Sequence, residues 1–149
     1  MNALRPAILL PVLLLACSPR SPEARVKQAF EACVKAVEVG DAGAVIENLD
    51  SKFMGPEGMD RNAAKLYLLG ILRREKIGIT VFSTQIEVKG PEALQTVELL
   101  LTSRGGGLLP QDASRRSFLL RWTETDGKWR LRELVDATVG GANGPAPLP

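Results

Sequence analysis

The apolar residues of the chain change their spacing at Lys76, and this change constrains the fold more than any other feature. Between Pro22 and Arg74 they recur at intervals of three and four residues, as on one face of a helix. From Ile77 to Val135 apolar and polar residues alternate instead, as in strands with one buried face. Helices followed by consecutive strands predict an α+β domain, in which N-terminal helices pack against a curved antiparallel sheet.

Capping residues place the first two helices. Ser21, followed by Pro22 at the first helical position, predicts a helix that stops at Gly40. Asp41 predicts a second, short helix that ends at Asp50-Ser51. The residues that this short helix is expected to turn inward are Val45, Ile46 and Leu49.

A third helix is predicted after the turn at Gly55–Gly58. Asp60 is its capping residue, and the helical pattern continues to about Arg74. Tyr67 is expected near the edge of the buried face. Much of that face is expected to consist of Leu66, Leu69 and Leu72.

The first long strand begins at Ile77, and its apolar phase slips near Ser83-Thr84, which indicates a bulge or a strong bend. Lys89–Glu92 then reverses the chain into a second strand. The glycine-rich stretch Arg104–Asp112 lacks the Lys-Ser/Thr pair and the strand-to-helix context of a phosphate-binding loop, so it is interpreted as a flexible connection. The second strand has apolar residues on both faces, with Val97, Leu99 and Leu101 on one and Leu94 and Leu100 on the other.

The last two strands form a hairpin around Asp126-Gly127, a strong signal for a tight turn. A two-residue turn pairs Trp122 with Leu131 and Leu120 with Glu133, so that one apolar face carries a single carboxylate. A three-residue turn would place arginines beside the buried aromatic residues, which disfavours it. In the preferred register the opposite face carries Arg121, Arg130 and Arg132.

The N-terminal segment predicts export. An apolar run, Ala7 to Ala16, follows Arg5, and it is about half the ~20 residues that a membrane helix needs, as is typical of a signal peptide. Leu14-Leu15-Ala16-Cys17 resembles the lipobox of bacterial lipoproteins, whose cysteine is acylated before the signal is removed. The resemblance implies that Cys17 carries a lipid anchor in the bacterial cell envelope. Ser18 favours the outer membrane, facing the periplasm.

Four parts of the chain follow from these boundaries. A signal peptide occupies residues 1–16, and the lipidated cysteine with a short tether occupies residues 17–21. Residues 22–137 have the size of one domain. The Gly/Pro/Ala tail at 138–149 has little to bury and is expected to be disordered.

Composition excludes several classes of function. The chain contains no histidine, which excludes catalytic triads with a histidine base and leaves a metal site only carboxylates and one thiol. We therefore predict no metal and no cofactor. The chain has 19 Lys and Arg against 17 Asp and Glu, and removal of the signal takes away only Arg5. The mature protein is thus nearly neutral, which argues against nucleic acid as a partner.

Cys33 has no second cysteine to pair with if Cys17 is lipidated. It shares one predicted helix face with three apolar residues, and no base or cationic neighbour is apparent that would activate it. A buried, unreactive thiol is therefore preferred over a reactive or metal-binding one. The three residues are Phe30, Val34 and Val37.

Residues 22 to 136 resemble the nuclear transport factor two-like superfamily, also called the cystatin-like cone. The resemblance rests on the step between helices at Glu38–Ala42 and on the final hairpin Asp126–Leu131. It implies a cone-shaped α+β fold that hosts isomerases, cyclases, dehydratases and non-catalytic binding domains. No catalytic residue carries over, because the isomerases combine an acidic base with a tyrosine-containing oxyanion hole and the dehydratases use a His-Asp pair.

Three groups of residues are candidates for a functional site. Tyr67 and Trp122 line the open end of the cone and bind an apolar ligand, unless they are ordinary core residues. Glu133 is either a carboxylate on the apolar face, with a partner or a raised pKa, or a solvated residue at the rim, unless the predicted register of the hairpin is itself wrong. The third group meets anionic lipid headgroups or an acidic partner, or forms a solvated strand face; its members are Arg121, Arg130 and Arg132.

The sequence as a whole favours a lipid-anchored, non-catalytic binding or assembly module. Its partners would be the membrane, through the anchor, and an envelope protein, an apolar small ligand or a second copy of the chain. The alternative is a small-molecule isomerase or hydro-lyase with Glu133 or Asp60 as base and Tyr67 as hydrogen-bond donor. A polar pocket with two converging ionisable groups would favour the enzyme, and a dry cavity the binding module.

Overall fold

The computed structural model describes residues 20–103 and 115–138. Three helices precede most of the sheet, as expected for the α+β class. The elements in chain order are α1 (Pro22–Glu38), α2 (Ala42–Glu47), β1 (Leu49–Met54), a short 3-10 turn (Pro56–Gly58), α3 (Arg61–Arg74), β2 (Ile77–Lys89), β3 (Glu92–Ser103), β4 (Arg115–Thr125) and β5 (Lys128–Asp136).

All three predicted capping residues are confirmed. The Ser21 hydroxyl accepts a hydrogen bond from Ala24 N at 3.2 Å and begins α1. The carboxylates of Asp41 and Asp60 accept from backbone N–H groups in the first turns of α2 and α3, at 2.9 and 2.8 Å. These bonds satisfy N–H groups that have no partner within a helix, so local chemistry fixes where each helix starts.

The predicted end of α2 is wrong, because the helix stops at Glu47 and Leu49 begins a strand. This strand, β1, was not predicted. It pairs with β5 in parallel, at Leu49 with Leu131 and at Met54 with Glu133. Strand β1 has only six residues and pairs with a distant part of the chain, so the local pattern of apolar residues does not indicate it.

The predicted inner face of α3 is wrong at Leu66, while Leu69 and Leu72 are partly buried. Leu66 is 72% exposed, whereas Ala64 is buried and Leu68 packs partly buried against the core. Apolar residues surround this helix on several sides, so their spacing did not decide which side faces the sheet.

The sheet has the order β1-β5-β4-β3-β2, with every pair antiparallel except β1 with β5. The β2–β3 register shifts between Val81 and Ser83, so the predicted bulge exists and lies at Phe82. The predicted turn at Lys89–Glu92 connects these two strands. The glycine-rich loop and the tail beyond residue 138 lie outside the described residues.

The β4–β5 turn has the predicted two residues. Asp126 and Gly127 both have positive φ angles, 52° and 71°, as a type I′ turn requires. Thr125 faces Lys128, and further along the strands Trp122 faces Leu131 as expected.

Beyond this point the predicted register is wrong, because β5 contains a bulge at Arg132. Arg121 faces Glu133, and Leu120 faces Leu134 instead of Glu133. The bulged Arg132 is held by Asp50 of β1, with 2.8 Å between the guanidinium and the carboxylate. The extra residue moves Glu133 to the outer face and lets Leu134 pack partly buried against the core.

The core lies between the concave face of the sheet and the helices. Trp122 and Val26 are fully buried at its centre. The other buried members from the sheet are Leu49, Phe53, Ala93, Val97, Leu99, Leu120, Trp129 and Leu131.

Candidate functional site

A cavity of about 490 Å³ lies between α1, α3 and the concave face of the sheet. Its volume is within the range of small-molecule binding sites. Most of its lining is aliphatic or aromatic. The apolar lining residues include Phe30, Val34, Leu49, Phe53, Leu68, Ile71, Ile79, Leu99, Phe118 and Leu134.

Charged groups in the cavity lining are few. Arg116 and Asp136 form an ion pair at 3.1 Å, and both side chains are partly exposed. Glu57, in the turn before α3, is exposed and has a positive φ of 57°. The cavity can therefore hold an apolar body, with one polar end next to the Arg116–Asp136 pair.

Tyr67 and Trp122 both line this cavity, in different ways. Trp122 is completely buried, and its Nε1–H donates to Gln95 Oε1 at 2.9 Å. Gln95 in turn donates to Thr84 at 2.9 Å. This chain of hydrogen bonds occupies the polar atom of Trp122, so the ring offers the cavity only carbon. Tyr67 is 56% exposed at the edge of the cavity.

Cys33 lines the cavity wall on the inner side of α1, together with Phe30 and Val34. It is half-buried, at the border of the core and not within it. Burial raises the pKa of its thiol to about 12. The thiol is therefore neutral at physiological pH and chemically resembles a small apolar group.

The two carboxylates predicted as candidate bases lie outside the cavity lining. Glu133 is on the outer face of the sheet, where its carboxylate is 3.4 Å from Arg121. Asp60 caps α3 through Ala63 N. The residues expected to act together as base and donor, Glu133 or Asp60 with Tyr67, are thus not brought together. Cys17 lies outside the described residues.

The predicted arginine face is divided among three environments. Arg121 pairs with Glu133, and Arg132 pairs with Asp50. Arg130 lies beside a separate polar cavity at the edge of the sheet. The bulge at Arg132, which the sequence did not reveal, causes this separation.

Asp50 is a buried carboxylate that the sequence analysis missed. Burial on its own would raise its pKa, but hydrogen bonds from Lys52 N and Arg132, and the charges of both residues, outweigh this effect. The net result is a pKa below the usual range for aspartate. No sequence signal could have linked Asp50 to Arg132, since the contact depends on the pairing of β1 with β5.

Two kinds of feature are absent from residues 20–103 and 115–138. No group of three or more Cys, Asp or Glu side chains there is arranged to hold a metal ion. No helix in these ranges is long and apolar enough to cross a membrane.

Comparison of the fold with solved structures gives clear relatives at low sequence identity. An NTF2-like protein of Cytophaga hutchinsonii superposes with a TM-score of 0.68 and 11% identity, over 80% of this chain and 100% of the other. A provisionally assigned dehydratase from the NTF2-like family of Streptomyces avermitilis gives 0.66 and 19%, over 80% and 96%. The chain has the NTF2-like fold.

The fold also matches part of a longer protein. Bd1075 of Bdellovibrio bacteriovorus gives a TM-score of 0.66 at 11% identity, over 76% of this chain but only 40% of that one. No family model and no curated protein sequence matches this chain. The similarity therefore lies in the fold, which isomerases, dehydratases and proteins of unknown function share.

Proposed function

We propose that this protein is a lipid-anchored module of the bacterial cell envelope whose NTF2-like domain binds an apolar ligand without transforming it. The observation that carries the proposal is the 490 Å³ cavity and its almost entirely apolar lining. Removing apolar ligand surface from water contributes about 25 cal/mol per Å², so such a lining supplies affinity without directed polar contacts. The ligand class is an amphiphile with an apolar body and one polar end.

The polar end would be placed by Arg116 and Asp136, the ion pair in the cavity lining. A ligand carboxylate or phosphate would share the Arg116 guanidinium, and a hydroxyl would donate to Asp136. Both side chains are partly exposed, so a polar group can stay hydrated there while the rest of the ligand is buried.

Enzymatic function is the second candidate, favoured by one observation, that Asp136 and Tyr67 line the same cavity. The relative from Streptomyces avermitilis carries a provisional dehydratase assignment. Against this reading, the Asp136 carboxylate is already engaged in an ion pair with Arg116 at 3.1 Å. The other carboxylate of the lining, Glu57, is exposed in the turn before α3.

Binding of N-phenylnaphthylamine, an apolar fluorescent probe, tests the proposal. Val34→Trp adds a large side chain to the cavity wall and should weaken binding about tenfold or more, a loss of about 1.4 kcal/mol. Val39→Trp is the matched control, because Val39 directly follows the last residue of α1, is 68% exposed and is not among the cavity residues. Equal binding by the two folded variants, or no binding by the wild type, would contradict the proposal.

Lipid attachment at Cys17 needs a separate test. Cys17→Ser should abolish metabolic labelling with palmitate and release the protein from the membrane fraction, because the several acyl chains of this pathway hold far more strongly than one chain. Wild-type protein without label would refute the anchor while leaving the cavity proposal intact.

A further inference from the structure

A second cavity, of about 380 Å³, lies at the edge of the sheet and has a polar lining. It forms where β5 begins, before the first pair that β5 makes with β1, Leu49 with Leu131. The segment 128–130 therefore runs along an open edge beside the end of α2. The lining residues are Glu47, Asn48, Arg61, Lys128, Trp129 and Arg130.

The residues that line this cavity carry a net positive charge, because three are cationic and one, Glu47, is acidic. Within the described part of the chain, the side chains of Lys128 and Arg130 take part in none of the ion pairs or hydrogen bonds. Arg132, two residues further along β5, differs because Asp50 neutralises it. This edge therefore has more cationic side chains than the single carboxylate of Glu47 can balance.

Two buried donors in the same lining also lack acceptors. Trp129 is 5% exposed, and its indole N–H has no partner among the described residues. The same holds for the Nε–H of Arg61, although Arg61 Nη2 donates to Ile46 O at 3.0 Å. Buried polar groups are nearly always hydrogen-bonded, so these two N–H groups are expected to donate to an acceptor outside the described residues.

We propose that this cavity binds a phosphate-type oxyanion, either free or as the phosphate of a lipid headgroup. Lys128 and Arg130 supply charge, while Trp129 and Arg61 each have a buried N–H group that can donate to an acceptor. An oxyanion offers several acceptor oxygens and negative charge together, which are the two things that the cavity lacks. Nothing in this site overlaps with the apolar cavity or depends on its ligand.

A lipid headgroup can reach the oxyanion site if Cys17 carries a lipid anchor. Arg25, in the first turns of α1, donates to Gly127 O at 2.8 Å and pairs with Glu124. The start of α1 is therefore fixed to the turn that immediately precedes Lys128. A tether that leads into α1 enters the domain at the same end as the oxyanion site.

The indole N–H resonances of the full chain, ¹⁵N-labelled and held in neutral detergent, provide the test. The protein has two tryptophans, and Trp129→Phe assigns their signals. Inorganic phosphate should shift the Trp129 signal saturably. The Trp122 signal should stay in place, because its N–H is bonded to Gln95 in the core. In every variant the Trp122 signal also reports whether the domain is folded.

Arg130→Gln and Lys128→Gln should each raise the dissociation constant for phosphate about tenfold, while Lys35→Gln, which removes an exposed cation of α1, should leave it unchanged. Phosphatidylglycerol in the detergent micelles forms the second arm. If the lipid saturates the shift of the Trp129 signal at a much lower concentration than phosphate does, the ligand is a lipid headgroup. If both saturate it at comparable concentrations, the ligand is the free ion. A Trp129 signal that neither compound shifts, or equal effects of all three Gln variants, would overturn the site.

Discussion

Asp50 links two strands through a partly buried ion pair with Arg132, and its charge makes part of the stability of the fold depend on pH. The carboxylate accepts hydrogen bonds from Lys52 N and Arg132, and its pKa is lowered in the folded state. The stabilisation is therefore present above the unfolded-state pKa of about 3.9 and is lost as the pH falls through the folded-state value.

Asp50→Asn should accordingly lower the free energy of unfolding at about pH 7 by about 1.5–3 kcal/mol, the usual contribution of hydrogen bonds to a charged group. The difference from the wild type should shrink as the pH falls below the unfolded-state pKa, toward about pH 2. Urea unfolding at several pH values measures it. A difference that is independent of pH would show that the charge of Asp50 stabilises nothing.

Cys33 should react slowly with thiol reagents in the native protein at pH 8. Burial raises its pKa to about 12, so very little thiolate is present at that pH. The rate should rise steeply on unfolding in urea and fall further when an apolar ligand fills the cavity that Cys33 lines. Native protein that reacts as fast as free cysteine would contradict both its burial and its position.

Glu133 is the residue at which the sequence-based and observed sites differ most. Because its carboxylate faces Arg121 on the outer face, Glu133→Gln should leave binding of an apolar probe in the cavity unchanged. Its cost in stability should be about 0.2–1 kcal/mol, as for other partly exposed ion pairs. Probe titration and thermal unfolding of the same variant test both points. A large loss of probe binding would show that Glu133 acts in the cavity and not on the outer face.

The helix starts are the elements best specified by local sequence. Asp60→Ala should destabilise the protein by about 1 kcal/mol, because Ala63 N loses its acceptor at the start of α3. Asp60→Asn, which keeps an acceptor oxygen, should restore most of the loss. If the alanine and asparagine variants unfold at the same urea concentration, the cap contributes nothing to this fold.

The helix starts, the Asp126-Gly127 turn and the bulge in β2 were all predictable, because each depends on residues close in sequence. The bulge at Arg132 was not, since it is stabilised by Asp50 from a strand 82 residues away. The face of α3 was ambiguous because Leu66 belongs to an apolar pattern as regular as that of Leu68. Only the packing of the whole helix against the sheet distinguishes them.

At the scale of the molecule, the chain surrounds an apolar cavity with a cone of five strands and covers it with α1 and α3. The sequence predicted the cone and two of the cavity residues, Tyr67 and Trp122. It did not predict the Arg116–Asp136 pair, because those two residues meet only through the shifted β4–β5 register. The binding function that we propose rests on the apolar lining of this cavity.

A crystal structure of the protein with a bound long-chain carboxylate tests this account most directly. We expect the alkyl chain of the ligand to lie between α1, α3 and the sheet, in contact with Cys33 and Leu99, and its carboxylate to lie beside Arg116. A ligand bound on the outer face of the sheet, with the cavity closed by its own side chains, would contradict the account.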